Sequence, residues 1–466
     1  MRKTKIICTI GPVTQAYDRL CEMADAGMNI ARLNMSHGDH DTHRAVIDNI
    51  QQMNRQRRQP VAILMDTQGP EIRTGDLRSE LELKAGDEIT VSVRGSAPVE
   101  ESSLQINYED LLTSVDVGDR ITVDNGLINL QVLEKNDRTL KCKVIDGGIL
   151  KSKRHVNLPG IRVNLPAITE KDRRDILFAI ENDLDFIALS FVREAADVAE
   201  LRELLDRHHS KIRIIAKIED QEGLRNIDSI IEAADAVMVA RGDLGVEINI
   251  EDLPNVQRTI VQRCAVAGKP VIVATHLLES MIEHPIPTRA EVTDVANAVY
   301  EEVDAVMLSG ETTIGKYPLR CIEYLDKVAR SSEQHSGLRF CQGLRQDSAK
   351  QQLAVSAVQL ADSLNARGML VITRHGRMAA YACNARSMHT PVYAFTFSGR
   401  VQRQLNLYRG VYAWQLSARQ DAETMISEAF ATLQAAGQAA SGDRFVVISD
   451  VIVDNDIDAI QLRTLP

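Results

Sequence analysis

Lys217 and Glu219 stand two residues apart in IRIIAKIE (212–219), and Asp243 closes a second short apolar run, AVMVARGD (236–243). In extended backbone a spacing of two places both side chains on one face. Taken singly, Lys217–Glu219 reads first as an ordinary ion pair and Asp243 as a helix N-cap in ARGDLGVEI. Enclosure would change that reading, because a buried ionic pair is expensive unless a ligand or metal completes it. Two carboxylates with no histidine or cysteine beside them suit a hard, oxygen-seeking cation, Mg²⁺ or Mn²⁺, with positions left for substrate and water. A helix starting at Asp243 would also turn backbone N–H groups toward an anion.

Two further segments, RLNMSHG (32–38) and DTQGPEIRTG (66–75), carry a looser set of oxygens on Asn34, Ser36, Asp66 and Thr67. Mostly neutral oxygens suit a monovalent cation better than a divalent one; a hydrogen-bonded turn network is the plainer alternative for either segment alone. Arg32 and Arg73 offer planar guanidinium groups that match phosphate oxygens, against surface ion pairing as the commonplace role. GETTIGKY (310–317) nearly spells a phosphate-binding GxxxxGK[ST] loop, but Tyr317 replaces the metal-ligating hydroxyl, so the similarity is set aside as chance.

The elements that must position these residues recur as a short β-rich apolar run followed by an amphipathic stretch. The runs are KIICTIG, NIARLNMS, VAILMDTQ, FIALSFV, IRIIAKIE, AVMVARGD, VIVATHLLE and AVMLSGE. Near-continuous apolar runs mark strands buried on both faces. Helical patterns lie between them, among them 169–182 and 256–268, the latter closing on Gly268 and then Pro270. Eight such units predict a (β/α)₈ TIM barrel. A doubly wound sheet is the runner-up, but its GxGxxG turn is missing after every run. In a barrel the reacting groups sit at the strands' carboxyl ends. There stand Arg32, Asn34, Ser36, Asp66, Thr67, Lys217, Glu219, Arg241, Asp243, Thr275 and Glu311. Residues 70–163 alternate instead, with DNG, NDR and DGG turns, and predict a small antiparallel β domain inserted after the third strand. The barrel is thus assigned to 1–69 and 164–335. After a polar linker beginning beyond Lys327, residues 345–466 resume an α/β rhythm (MLVITR, PVYAFTF, GVYAWQL, RFVVISD, AIQLRTL) and form a separate domain.

The chain has 466 residues with 65 acidic and 54 basic side chains, a formal charge of −11, which argues against nucleic acid or an anionic membrane as partner. No apolar stretch nears the length of a membrane span. Seven scattered cysteines, never spaced CxxC, predict free thiols in a reducing cytoplasm.

Nine segments, KTKIICTIGP, ARLNMSHG, DTQGPEIRTG, LPAITEKD, IIAKIEDQEGL, VMVARGDLGVEI, ATHLLESM, PTRAEVTDVANAV and DAVMLSGETTIGKYP, resemble in order and spacing the signatures of pyruvate kinases, from the first residues to about 330. The resemblance implies transfer of a phosphoryl group from phosphoenolpyruvate to ADP, giving pyruvate and ATP, dependent on Mg²⁺ and K⁺. It implies Glu219 and Asp243 as Mg²⁺ ligands, and Asn34, Ser36, Asp66 and Thr67 as K⁺ ligands. Lys217 and Arg32 would neutralise the phosphoryl group. Gly242 and Asp243 amides with Thr275 would hold the substrate carboxylate, Thr275 also serving the enolate's protonation through water. His37, Arg73 and Lys171, with Arg32 and Asn34, would contact the nucleotide. Glu71 is the residue that accompanies K⁺-dependence. The insert would be a small β-barrel lid, and the tail the effector and subunit-contact domain of a homotetramer. In the tail, TRHGRMA (373–379) keeps Thr373 and Gly376 but has His375 and Met378 where serines of a sugar-bisphosphate loop are expected. Arg374 and Arg377 could still hold a phosphorylated effector, yet activation by fructose 1,6-bisphosphate is expected to be altered or absent. Another Mg²⁺-enolate barrel (a lyase or aldolase) and a ligand-binding inactive paralogue are the alternatives. The second would lack one of Lys217, Glu219, Asp243 or Thr275, and all four are present.

Overall fold

The computed structural model describes residues 1–77, 79–95, 103–418, 421–449 and 459–465. All eight apolar runs form strands: β1 (Lys5–Thr9), β2 (Ile30–Asn34), β3 (Ala62–Asp66), β4 (Phe186–Leu189), β5 (Arg213–Ile218), β6 (Ala236–Ala240), β7 (Val271–Ala274) and β8 (Ala305–Leu308). They pair in parallel and close into a barrel, so every backbone group finds a neighbour and no edge is left.

Period-two alternation sorts the side chains. Ile6, Cys8, Leu33, Met65, Ile187 and Ile214 face outward and pack with helix residues such as Leu20, Ile47, Ile176 and Leu201. Ile7, Ile30, Leu64, Ala188, Ile215, Met238, Ile272 and Met307 fill the interior. Two residues further along each strand the same face is presented again. That next layer is Thr9, Arg32, Asp66, Ser190, Lys217, Ala240, Ala274 and Ser309. The barrel is therefore apolar at its waist and abruptly polar at the carboxyl rim.

The insert is a six-stranded sheet in the order Val156–Asn157, Arg120–Val123, Ile128–Lys135, Thr139–Asp146, Glu88–Val93, Ser103–Ile106. Its DNG turn takes left-handed backbone at Asp124, Asn125 and Gly126, the conformation such a hairpin demands. The antiparallel expectation fails at one place: Glu88–Val93 and Ser103–Ile106 pair in parallel. The two outer strands are tied through single bridges, Arg73 to His155 and Thr74 to Ile106, which draw the sheet into a ring. A satellite pair, Leu81–Leu83 with Gly148–Leu150, lies beside it.

The tail has four parallel strands, β9 (Gly368–Ile372), β10 (Val392–Thr396), β11 (Val411–Gln415) and β12 (Arg444–Ser449), with β13 (Ala459–Thr464) antiparallel at one edge. Asp450, placed in the RFVVISD run, lies outside the described residues. The polar linker is shorter than the text suggests. Helix Pro318–Ser332 runs through its first part, and helix Ala349–Ser363 begins within RQDSAKQQ on the Ser348 capping box. The tail docks on the amino ends of the strands: Arg386 chelates the buried Asp304, and Arg403 donates to Asp185.

Candidate active site

Asp66, at the end of β3, has no exposed surface and organises the rim. Its Oδ2 accepts from Arg32 Nε at 2.6 Å and its Oδ1 from Lys217 Nζ at 3.0 Å. Burial alone would raise its carboxyl, but the two cations hold it below the usual carboxylate range. Lys217 Nζ also donates to Ser190 Oγ at 2.8 Å and lies 3.0 Å from Glu219 Oε1. Burial opposes the ammonium, yet Asp66 and Glu219 outweigh it and raise Lys217, so its charge is fixed.

Glu219 is buried one residue past β5, and its Oε2 accepts from the Phe191 N–H at 2.6 Å. Phe191 takes left-handed backbone, φ 52, which is uncommon for an aromatic residue and aims that N–H into the barrel. Asp243 sits in the first turn of helix Arg241–Glu247, whose N-cap is Ala240; the capping role read from the sequence is thus not the one it plays. Asp243 and Glu219 are electrostatic neighbours, and burial raises both carboxyls. Two neighbouring buried carboxylates repel unless a proton or a cation lies between them, and a divalent cation is a group that brings such a pair together. Their oxygens fit Mg²⁺ or Mn²⁺, and among the described residues no cluster of three or more His, Cys, Asp or Glu side chains competes.

Asn34 and Asp66 are register partners on β2 and β3, which sets the candidate K⁺ oxygens side by side. Asn34 Oδ1 accepts from the Ser36 N–H, and Thr67 Oγ1 from the Ser190 N–H. Asp66 brings the one carboxylate of the four residues, a charge balance that suits a monovalent ion. The DTQG turn is held from outside: Asp172, which caps helix Glu170–Glu181 reciprocally with Thr169, accepts from the Gln68 and Gly69 N–H groups. Glu71 Oε2 accepts from Arg73 Nε at 2.7 Å and Gln68 Nε2 at 2.8 Å.

Arg32, Asn34, Ser36, Thr67, Arg73, Lys217, Glu219 and Asp243 line one cleft of about 280 Å³. Other predicted residues are placed differently. Thr275 and His276 both have left-handed backbone, φ 70 and 54, held by Arg241, which donates to the Thr275 carbonyl and pairs with Asp294. Such strain persists only where its surroundings enforce it. Thr275 Oγ1 accepts from the Gly242 N–H at 2.8 Å, so that amide already has a partner. Lys171 Nζ is engaged by the Met35 carbonyl and Asp175, and His37 is exposed beside that loop. Glu311 accepts from the Leu278 and Ser309 N–H groups and acts as a buried backbone brace. In the tail, Thr373 is buried, its Oγ1 accepting from the Gly376 N–H, while Arg374 and Arg377 are exposed.

Sequence reasoning missed Ser190 and Thr9, although the rule that found the others covers them: both are polar residues at the carboxyl ends of inward faces. Arg32 Nη1 donates to Thr9 Oγ1 at 2.9 Å. It also missed the inserted domain's share of the cleft, Asp124, Asn125, Lys153, Arg154 and His155. No spacing signal links these to the rim.

A closed parallel barrel with an inserted β domain and a charged carboxyl rim defines a (β/α)₈-barrel enzyme. The family model described as pyruvate kinase, barrel domain matches residues 1–322, and that of the pyruvate kinase alpha/beta domain matches 351–460. The chain is 43% identical to the pyruvate kinase of Geobacillus stearothermophilus over 97% of its length and 78% of that protein's. It is also 43% identical to plastidial pyruvate kinase 2 of Arabidopsis thaliana, over 96% of this chain and 78% of that one. The crystal structure of a pyruvate kinase from Cryptosporidium parvum superposes with a TM-score of 0.95 at 38% identity, covering 100% of this chain and 96% of that one. The chain belongs to the pyruvate kinase family and is a phosphotransferase.

Proposed function

We propose that the cleft passes the phosphoryl group of phosphoenolpyruvate to ADP with Mg²⁺ (or Mn²⁺) and K⁺ as cofactors. One observation carries this reading: the Arg32–Asp66–Lys217–Glu219–Asp243 chain of charges at the barrel rim. Phosphoryl transfer needs little covalent help; it needs in-line positioning and neutralised oxygens. Asp66 fixes Arg32 and Lys217 before substrate arrives, so neither has to be ordered during the reaction. Glu219 and Asp243 would hold Mg²⁺, which when bound supplies Lewis-acid charge to the phosphoryl and enolate oxygens. Asn34, Ser36, Asp66 and Thr67 would hold K⁺.

The Gly242 and Asp243 amides and Thr275 are assigned to the substrate carboxylate, which requires the Gly242–Thr275 bond to give way on binding. Thr275, whose hydroxyl donates to the Ala274 carbonyl, relays a proton from a chain of water to the enolate carbon. Arg73 at the cleft, with His37 and Lys171 beside the RLNMSHG loop, contacts the nucleotide together with Arg32 and Asn34. For Lys171 this means exchanging its Asp175 partner for phosphate. The units 1–69 with 164–335, 70–163 and 345–466 serve as catalytic barrel, lid, and regulatory and subunit-contact domain of a homotetramer. The seven cysteines are all free, and among the described residues no helix is long and apolar enough to cross a membrane; both support a cytoplasmic enzyme.

A coupled assay with phosphoenolpyruvate, ADP and Mg²⁺ is expected to yield pyruvate in K⁺ and to fall about 10-fold or more when a bulky cation replaces it, since uncompensated charge then remains around the transferring group. No pyruvate under any condition overturns the reading; equal rates without K⁺ overturn the role of Glu71. Fructose 1,6-bisphosphate is expected to shift half-saturating phosphoenolpyruvate by less than about twofold, because Thr373 is turned inward and, among the described residues, no partner orders the exposed Arg374 and Arg377 for phosphate. A large drop on adding it would refute this.

A further inference from the structure

Helix Arg241–Glu247 carries Asp243 near one end and Glu247 at the other, and the lid touches the far end twice. Asn157, on the lid's last strand, is 5% exposed and donates Nδ2 to Glu247 Oε1 at 3.0 Å. The lid's DNG turn passes the same end: a Cβ placed on Gly126 would lie 3.8 Å from Val246 Cγ2. The loop after β5 joins them, since Gln221, two residues beyond Glu219, donates Nε2 to the Glu247 carbonyl. Glu247 is thus the point where the lid, the strand carrying Glu219 and the helix carrying Asp243 meet.

Asn157 Oδ1 is buried without a hydrogen-bond partner, an arrangement that costs about 1–3 kcal/mol if nothing fills it. A protonated Glu247 would fill it, because a carboxylic acid facing a carboxamide can make two reciprocal hydrogen bonds. Burial, against the Asn157 hydrogen bond and with Asp220 and Asp243 adding negative field, pushes Glu247 up to about 7.

We propose that Asn157 and Glu247 are positioning residues: they fasten the lid to the helix that sets Asp243, making lid closure and completion of the metal site a single event. The inference rests on the assignment of Asp243 as a metal ligand. Lid contacts of this kind govern turnover more than ground-state binding, because they finish the reacting constellation after substrate has entered.

The test uses the full chain carrying Glu247→Ala, Asn157→Ala, both together, or Glu247→Gln, assayed at saturating Mg²⁺ and K⁺ with thermal melting in parallel. Each alanine variant is expected to lose about tenfold in kcat with phosphoenolpyruvate KM changed less than about twofold. The double variant is expected to be no worse than the weaker single one, since the two residues act as one unit. Glu247→Gln is expected to stay near the parent, because glutamine can both donate to Asn157 Oδ1 and accept from Nδ2. Multiplying losses, a Gln variant as poor as the Ala one, or alanine variants that keep the parent's kcat would each overturn the proposal. Failure of the parent enzyme to respond to Mg²⁺ would instead overturn the metal assignment on which it rests.

Discussion

A Lys217→Met variant is expected to fold and to bind Mn²⁺ at least as tightly as the parent, yet to lose about 10²–10³-fold in kcat, the usual cost of removing one preorganised charge from a transition state. Methionine fills the space of the lysine stem, so packing in the barrel is preserved. Asp66 keeps Arg32 at 2.6 Å and Ser190 Oγ at 3.3 Å, yet Asp66 and Glu219 both lose their pairing with Lys217, so the expected stability loss is about 3–5 kcal/mol, the cost of removing one partner of a buried ion pair. Glu219 loses its cationic neighbour, leaving the Glu219–Asp243 pair more negative and more attractive to a divalent ion. The separation of the two readouts is the point. A variant that turned over at the parent's rate would make Lys217 a structural counter-ion of Asp66. One that failed to bind Mn²⁺ would place its effect on the metal site.

Glu219→Ala is expected to do the reverse. Removing one of two carboxylates should weaken Mn²⁺ binding by about 10²-fold, as read by Mn²⁺ titration, and take turnover at ordinary Mg²⁺ down with it. The Phe191 N–H would lose its acceptor, and Asp243 would lose its carboxyl neighbour. The same pair predicts a pH dependence in the parent. Burial pushes Glu219 up to about 7, with Lys217 opposing and Asp243 reinforcing the shift. Below that pH a proton occupies the place the cation needs, so the Mg²⁺ concentration for half-activity should rise as pH falls through about 7 and level off above it. A half-activating concentration that stays flat from pH 6 to pH 8 would separate the shared proton from the metal site.

The order in which residues became legible follows from the range of the forces that place them. Strands buried on both faces show themselves as near-continuous apolar runs, and all eight were found. Helix limits set by local chemistry were also found, such as the start near Thr169 and the Gly268 that ends helix Leu253–Ala267. Local spacing put Lys217 and Glu219 on one face. The parallel pair in the lid was missed because strand direction depends on the path of a connection, which periodicity does not record. The plainer alternative for Asp243, a helix N-cap, failed because only the fold shows that the cap position is Ala240 and that Asp243 lies inside the first turn.

By itself, then, the sequence determined the barrel, its inserted and appended units, the family, and the two carboxylates with their lysine, because period-two burial and ordered motifs are properties of contiguous residues. Only the tertiary structure decided what those groups touch. Barrel closure joined Asp66 to Arg32 and Lys217, brought Ser190 and Thr9 beneath them, and set Glu219 against Asp243. The returning inserted domain put Asn157 on Glu247 and His155 at the cleft. Those contacts span strands and domains far apart in the chain, and their geometry comes from which backbone ladders pair and where an insertion folds back, neither of which leaves a local mark.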